Sequence, residues 1–156
     1  MAYGNSPIAL SLNFDSLRTS ERLSADFRDP TYFSVFDRLA DVLNEYGLKL
    51  TIFMIGQDLT DPEVFARVRD WHQAGHEIAN HSWSHNVAFS TLKKSEIYEE
   101  ISRSHEILTK ACGVEPKGFT APSWSASKVG LRTLIDLGYS YDASLFPSFW
   151  LYPAQV

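Results

Sequence analysis

Apolar positions along this chain keep two rhythms, and the two alternate. Four stretches repeat them three and four residues apart, the spacing of one helical face. After Asp29-Pro30, Phe33, Phe36, Leu39, Ala40 and Leu43 share a face that ends at Gly47. After Asp61-Pro62 come Val64, Phe65, Val68 and Trp71, with Gly75 as the stop. Both starts join a capping carboxylate to a proline, whose missing N–H and fixed φ suit a first helical turn. A third helix is predicted within Leu92 to Cys112, with Ile97, Ile101 and Leu108 inward and Gly113 at its end. Its Glu99/Arg103 and Glu106/Lys110 pairs read as a solvated face with favourable i, i+4 order. A fourth runs from about Ser127 to Gly138 and is expected to bury Leu131, Leu134 and Ile135.

Between the helices lie short apolar segments: Ile8 to Phe14, Leu48 to Ile55, Glu77 to Asn80, Lys117 to Ala121 and Tyr139 to Tyr141. Strands that alternate with helices predict parallel βα units in one α/β domain spanning residues 1–156. In such folds the functional site gathers where the strands end. Those ends are Asp15-Ser16, then His81 with His85, then Thr120 to Trp124, then Asp142.

His81-Ser-Trp-Ser-His85 carries the sharpest chemistry. A four-residue step just past a strand brings two imidazoles to one side of the backbone, where they can share a metal ion. The spacing alone is weak; the carboxylates at neighbouring strand ends strengthen it. Each residue also has a bland reading. Asp15 could be a turn residue and Asp142 a local hydrogen-bond acceptor. Trp83 could brace the histidine loop or stack on a sugar, and Trp124, after the Pro122 loop, is the better platform for a sugar ring. His76 opens its strand at the opposite end and reads as structural; His72 and His105 lie on helices.

Composition narrows the partners. The chain of 156 residues is 44% hydrophobic and 21% charged, with net charge -5. The negative balance and lack of a basic stripe argue against nucleic acid and anionic membranes. A single cysteine, Cys112, rules out an intrachain disulfide and a cysteine zinc cluster, and reads as a buried inert thiol. No apolar run of 18 residues is present and residues 1–7 lack a signal-peptide pattern, so the cytoplasm is the expected location. The apolar segment Phe146 to Pro153 suggests a surface covered by something else, a second copy of the chain being one candidate.

The sequence resembles the polysaccharide deacetylase family, the NodB-homology carbohydrate esterases, along nearly its whole length. Ile8-Ala-Leu-Ser-Leu-Asn-Phe-Asp15-Ser16 is similar to a first motif ending in Thr-Phe-Asp-Asp-Gly. Leu50-Thr-Ile-Phe-Met-Ile-Gly56 is similar to the second strand, and Gly75-His-Glu-Ile-Ala-Asn-His81-Ser-Trp-Ser-His85 to the metal-binding motif. Gly118 to Trp124 resembles the Phe-Arg-x-Pro loop, and Gly138 to Ser144 the following strand with its groove aspartate. The resemblance implies a distorted (β/α) barrel, here abbreviated or incomplete, and metal-dependent removal of acetyl groups from N-acetylated sugars. It implies a divalent ion, zinc first with cobalt, nickel or manganese as alternatives, held by His81 and His85. Asp15 would be the general base, and Pro122, Trp124 and Asp142 would line the substrate groove.

The sequence departs from the pattern at several points. Ser16 stands where the family has its metal-binding aspartate, and Thr120 where it has an arginine that orients the catalytic aspartate. A second register makes Asp15 the ligand and puts Asn13 at the base position, where an amide cannot accept a proton. No segment before Val156 supplies the histidine that protonates the leaving amine, or the last βα units of a barrel. Two other functions stay open: a cyclic-amide hydrolase of the allantoinase-like branch, and a catalytically inactive carbohydrate-binding fold.

Overall fold

A computed structural model describes residues 8–17, 27 and 29–145. Five strands, β1 (Ser11–Phe14), β2 (Thr51–Met54), β3 (Glu77–Asn80), β4 (Gly118–Phe119) and β5 (Tyr141–Asp142), form one sheet in chain order. Every neighbouring pair is parallel, with Phe14 beside Met54, Met54 beside Asn80, and Asn80 beside Phe119. The expected α/β class and parallel βα units hold. The strands are shorter than their apolar runs: Leu50 and Ile55, which flank β2, are buried, while Ile8, Leu10 and Leu48 are exposed.

Helices α1 (Phe36–Glu45), α2 (Pro62–Gln73), α3 (Lys94–Cys112) and α4 (Lys128–Asp136) connect successive strands. The Asp61 carboxylate accepts the Glu63 N–H at 2.8 Å, and Ser127 Oγ accepts the Gly130 N–H at 3.0 Å, so both capping residues act as their sequence positions suggest. The first helix differs at its start. Residues Thr31–Val35 form a π-helical turn, with the Val35 N–H reaching the Pro30 carbonyl at 3.2 Å. That wider turn leaves Tyr32 fully buried and directs its hydroxyl to Asp58.

On the helix side of the sheet, Leu12, Phe14, Ile52, Met54 and Ile78 meet Phe36 and Leu43 of α1, Val64, Val68 and Trp71 of α2, and Leu108 of α3. A second cluster packs Ile97 and Ile101 of α3 on Phe119 and Leu134. Here one expectation fails. Leu134 is 3% exposed, but Leu131 is 43% and Ile135 67% exposed. Helix α4 is rotated so that Gly130, Thr133 and Leu134 face inward, since Gly130 lets the helix lie against the Phe89 ring. Gly56 has the same use after β2: a Cβ there would sit 2.8 Å from the Ser104 backbone, so only glycine allows α3 this close. Cys112 is partly buried at the end of α3, and burial pushes its thiol up to about 11. Residues 1–7 and 146–156, which include the apolar segment read as a covered surface, lie outside the described residues.

Candidate metal centre

Strand β3 hands the chain to the site without a break in pairing. The His81 N–H donates to the Met54 carbonyl at 2.9 Å, and Gly56 and Gln57 then donate to the carbonyls of Ser82 and Trp83. His81 is 1% exposed, and its Nδ1 lies 2.6 Å from the Thr120 carbonyl at the end of β4. A carbonyl can only accept, so Nδ1 carries the proton and Nε2 presents its lone pair toward β1.

That lone pair faces Asp15. His81 Nε2 and His85 Nε2 stand 3.2 and 3.3 Å from the same Asp15 Oδ1. The two rings lie 5.0 Å apart, and one ligand atom from each of the three residues falls within 4.8 Å of the others. Only where Nε2 of each ring carries a proton do their hydrogen bonds, His81 first and His85 second, hold the Asp15 carboxyl well below the usual carboxylate range, against the desolvation that would raise it. Among the described residues this is the one such cluster of histidine, cysteine and carboxylate groups.

The donor set fits a divalent cation. His81 Nε2 is buried and, among the described residues, has no hydrogen-bond partner; a carboxylate oxygen, another acceptor, lies 3.2 Å away. A buried acceptor facing a half-exposed carboxylate oxygen calls for a proton or a cation between them. Contacts of 3.2 and 3.3 Å also match the edges of a coordination shell with bonds of roughly 2.1 Å. Two imidazoles and one carboxylate with further positions open is a donor set suited to zinc and its neighbours.

The loop between the histidines is built from the sequence outward. Ser82 and His85 take positive φ, 65° and 57°, without being glycine. Asn80, fully buried, accepts the Ser82 N–H at 2.8 Å and donates to the Ile101 carbonyl and the Tyr139 hydroxyl. Ser82 Oγ accepts the His85 N–H at 3.2 Å, closing the turn. Glu100 of α3 accepts the Trp83 and Ser84 N–H groups and the Ser84 hydroxyl. The Arg103 guanidinium lies 4.0 Å above the Trp83 ring, so Trp83 braces this loop against α3. Sequence reading missed Glu100 and Asn80: periodicity marks Glu100 as solvated, and Asn80 as a strand residue.

The other sequence-predicted residues lie on the same rim in different states. Pro122 is buried and shapes the turn after β4, while Trp124 is 45% exposed with φ 53°. Asp142 accepts the Ser144 N–H at 2.9 Å and the Ser144 hydroxyl, and Ser144 Oγ in turn accepts the Ala121 N–H at 2.8 Å. Asp142 therefore holds the Thr120–Trp124 loop through Ser144. Thr120 is 1% exposed and its hydroxyl has no partner among the described residues, while Ser16 is buried beside Asp15. Asn13 sits on the face of β1 opposite Leu12 and Phe14. His76 is buried and accepts the Leu50 N–H at 3.1 Å, a structural role at the far end of the sheet.

A parallel sheet that gathers an aspartate and two histidines at its carboxyl ends places the protein among α/β folds with a rim-built site. The chain belongs to the polysaccharide deacetylase family, which it matches over residues 8–141. It is similar to a peptidoglycan deacetylase from Helicobacter pylori, 33% identical over 110 residues, or 69% of this chain and 36% of the relative. Among solved structures, a family 4 acetyl xylan esterase from Clostridium thermocellum, in complex with a cobalt ion, has a TM-score of 0.63. It is 26% identical, over 80% of this chain and 53% of that one. A CE4 family pseudoenzyme from Bacillus anthracis shares the fold with a TM-score of 0.67 at 20% identity, over 86% of this chain and 41% of that one. The chain thus spans about a third to a half of the length of these proteins.

Proposed function

We propose that this chain carries the metal centre of a hydrolase that removes acetyl groups from N-acetylated saccharides, with His81, His85 and Asp15 as ligands. The observation that carries this reading is the convergence of both Nε2 atoms on one Asp15 oxygen, at 3.2 and 3.3 Å. When bound, a divalent ion supplies Lewis acidity toward an acetyl carbonyl and makes a water nucleophilic near neutral pH. Thr120, through its backbone carbonyl, fixes the His81 tautomer that leaves Nε2 free to bind. Trp124, exposed on the same rim, offers its ring to a sugar face.

This assignment takes the second register at Asp15. A carboxylate oxygen aimed at both Nε2 atoms is placed for a shared ion rather than for taking a proton from water. Asn13 then occupies the base position. A second reading follows from that residue together with Thr120, whose hydroxyl cannot replace a charged guanidinium: a metal-bearing fold that binds saccharide without turning it over. The family includes both deacetylases and pseudoenzymes by name.

One experiment tests the reading in two stages. Purified protein is titrated with zinc or cobalt, and acetate release from N-acetylglucosamine oligosaccharides is then followed. Binding of about one ion per chain, lost in His81→Ala and His85→Ala, is expected. Unchanged ion content in both variants would falsify the site. Ion and oligosaccharide binding without acetate release would favour the second reading.

A further inference from the structure

We infer that Glu100 is a positioning residue for the metal centre: it sets the backbone of the Ser82–His85 loop, and through it the place of the His85 imidazole. This deepens the proposed function, on whose ligand set it rests.

The two histidines are held in different ways. His81 continues the ladder of β3, and its ring is anchored on the Thr120 carbonyl. His85 lies beyond the sheet, at positive φ, and its backbone N–H reaches only the Ser82 hydroxyl at 3.2 Å. What fixes the chain just before it is Glu100. One carboxylate oxygen accepts the Trp83 N–H at 3.1 Å and the Ser84 N–H at 2.9 Å; the other accepts the Ser84 hydroxyl at 2.8 Å. Consecutive backbone N–H groups turned to one side form a small anion-binding concavity, and the Glu100 carboxylate fills it. On the opposite side Gly56 and Gln57 bond the carbonyls of Ser82 and Trp83. The loop is thus clamped between the turn after β2 and helix α3, with Glu100 supplying every acceptor on the α3 side for residues 83 and 84 among the described contacts.

The chemistry of the contact predicts a graded series. Glu100→Ala removes all three acceptors. Glu100→Asp keeps the charge but withdraws the carboxylate by one carbon. Glu100→Gln keeps one oxygen for the two amides and offers an N–H to Ser84 Oγ, so it preserves the geometry without the charge. Groups that orient metal ligands typically change affinity by about 10–100-fold when removed. Cobalt titration should show roughly that loss in Glu100→Ala and Glu100→Asp, with an altered visible cobalt spectrum, and recovery to within a few fold in Glu100→Gln. Wild-type affinity and an unchanged spectrum in both Glu100→Ala and Glu100→Asp overturn the inference.

A second measurement needs no metal. In chelated protein, NMR should show faster amide exchange at Trp83 and Ser84 and displaced His85 ring resonances in Glu100→Asp, with the His81 ring unmoved. An unmoved His85 ring there overturns the inference. Failure of the wild type to bind cobalt would refute the metal centre itself, and the His85 ring would then decide the positioning role on its own.

Discussion

Replacing Asp15 by asparagine should stabilise the metal-free protein and weaken the metal-bound one. The sign change follows from the tautomer of His81. With Nδ1 donating to Thr120, the buried Nε2 presents a lone pair 3.2 Å from a carboxylate oxygen. An unsatisfied buried acceptor costs about 1–3 kcal/mol. An asparagine amide can turn its N–H toward Nε2, and because the Asp15 side chain is 55% exposed, a recovery of about 1 kcal/mol is the appropriate figure. For a chain of this length that is roughly 2–4 °C in Tm. With an ion bound, the same substitution removes the one anionic ligand. Breaking a charge pair in a buried site costs about 3–5 kcal/mol, and half exposure points to the lower end, roughly a hundredfold in Kd. At an ion concentration a hundred times the wild-type Kd, binding stabilises the wild type by about 2.7 kcal/mol and the variant by only about 0.4. The two stability orders therefore cross: the variant leads by about 1 kcal/mol in chelator and trails by about 1.3 kcal/mol at that ion concentration. Thermal unfolding at pH 8, with and without zinc, measures both. A variant less stable in chelator, or one with the wild-type response to zinc, would refute this arrangement of donor and acceptors.

The remaining predictions concern the base and the thiol. If Asn13 occupies the base position, Asn13→Asp should raise metal-dependent acetate release by at least about a hundredfold, the lower range for a positioned base; no increase would place the base elsewhere. Cys112, pushed up to about 11 by burial, should react slowly with a disulfide reagent at pH 8 in the native protein and fast once unfolded. Because its folded value lies above the unfolded one, its stabilising effect is full below about pH 8.5 and is lost as pH rises toward 11. Native labelling at the rate of an exposed thiol would contradict this.

The elements were legible because their signals are local. Asp61-Pro62 and Gly75 bracket α2 through capping and a left-handed stop, and both lie within a few residues of what they control. The rim was legible for a related reason: parallel βα units put every strand end on one side, so Asp15, His81 and His85 could be grouped before any distance was known. What escaped was tertiary. Leu131 and Ile135 fit a helical stripe as well as Leu134 does, and only the packing of α4 on Phe89 decides which is covered. Glu100 sits among Glu96, Glu99, Arg103 and Glu106 on a helix face that reads as solvent, and its partners are 16 and 17 residues away in the chain. The role of Asp15 turns on the register of the first motif: the sequence reading took Asp15 as the base, whereas the ligand role proposed above rests on the oxygen shared at 3.2 and 3.3 Å.

Backbone strain tells the same story from another direction. Among the described residues, the non-glycine positions with positive φ are Ser82, His85, Ser123 and Trp124. All four lie in the loops that follow β3 and β4, and each such residue costs of order 1–3 kcal/mol. Local preference would put glycine or asparagine at these positions, and turns elsewhere in the chain do so at Gly47, Gly75, Gly113 and Gly138. Strain of this kind persists only where surroundings over-determine it. In the first loop Asn80, Ser82 and Glu100 supply that constraint; in the second, the Ser144 hydroxyl holds the Ala121 N–H and is itself held by Asp142. A glycine at 82 or 85 would relieve the backbone while loosening the imidazoles. The two strained loops are also the ones that carry His81, His85 and Trp124, so local relaxation has been traded for fixed side chains at a single rim.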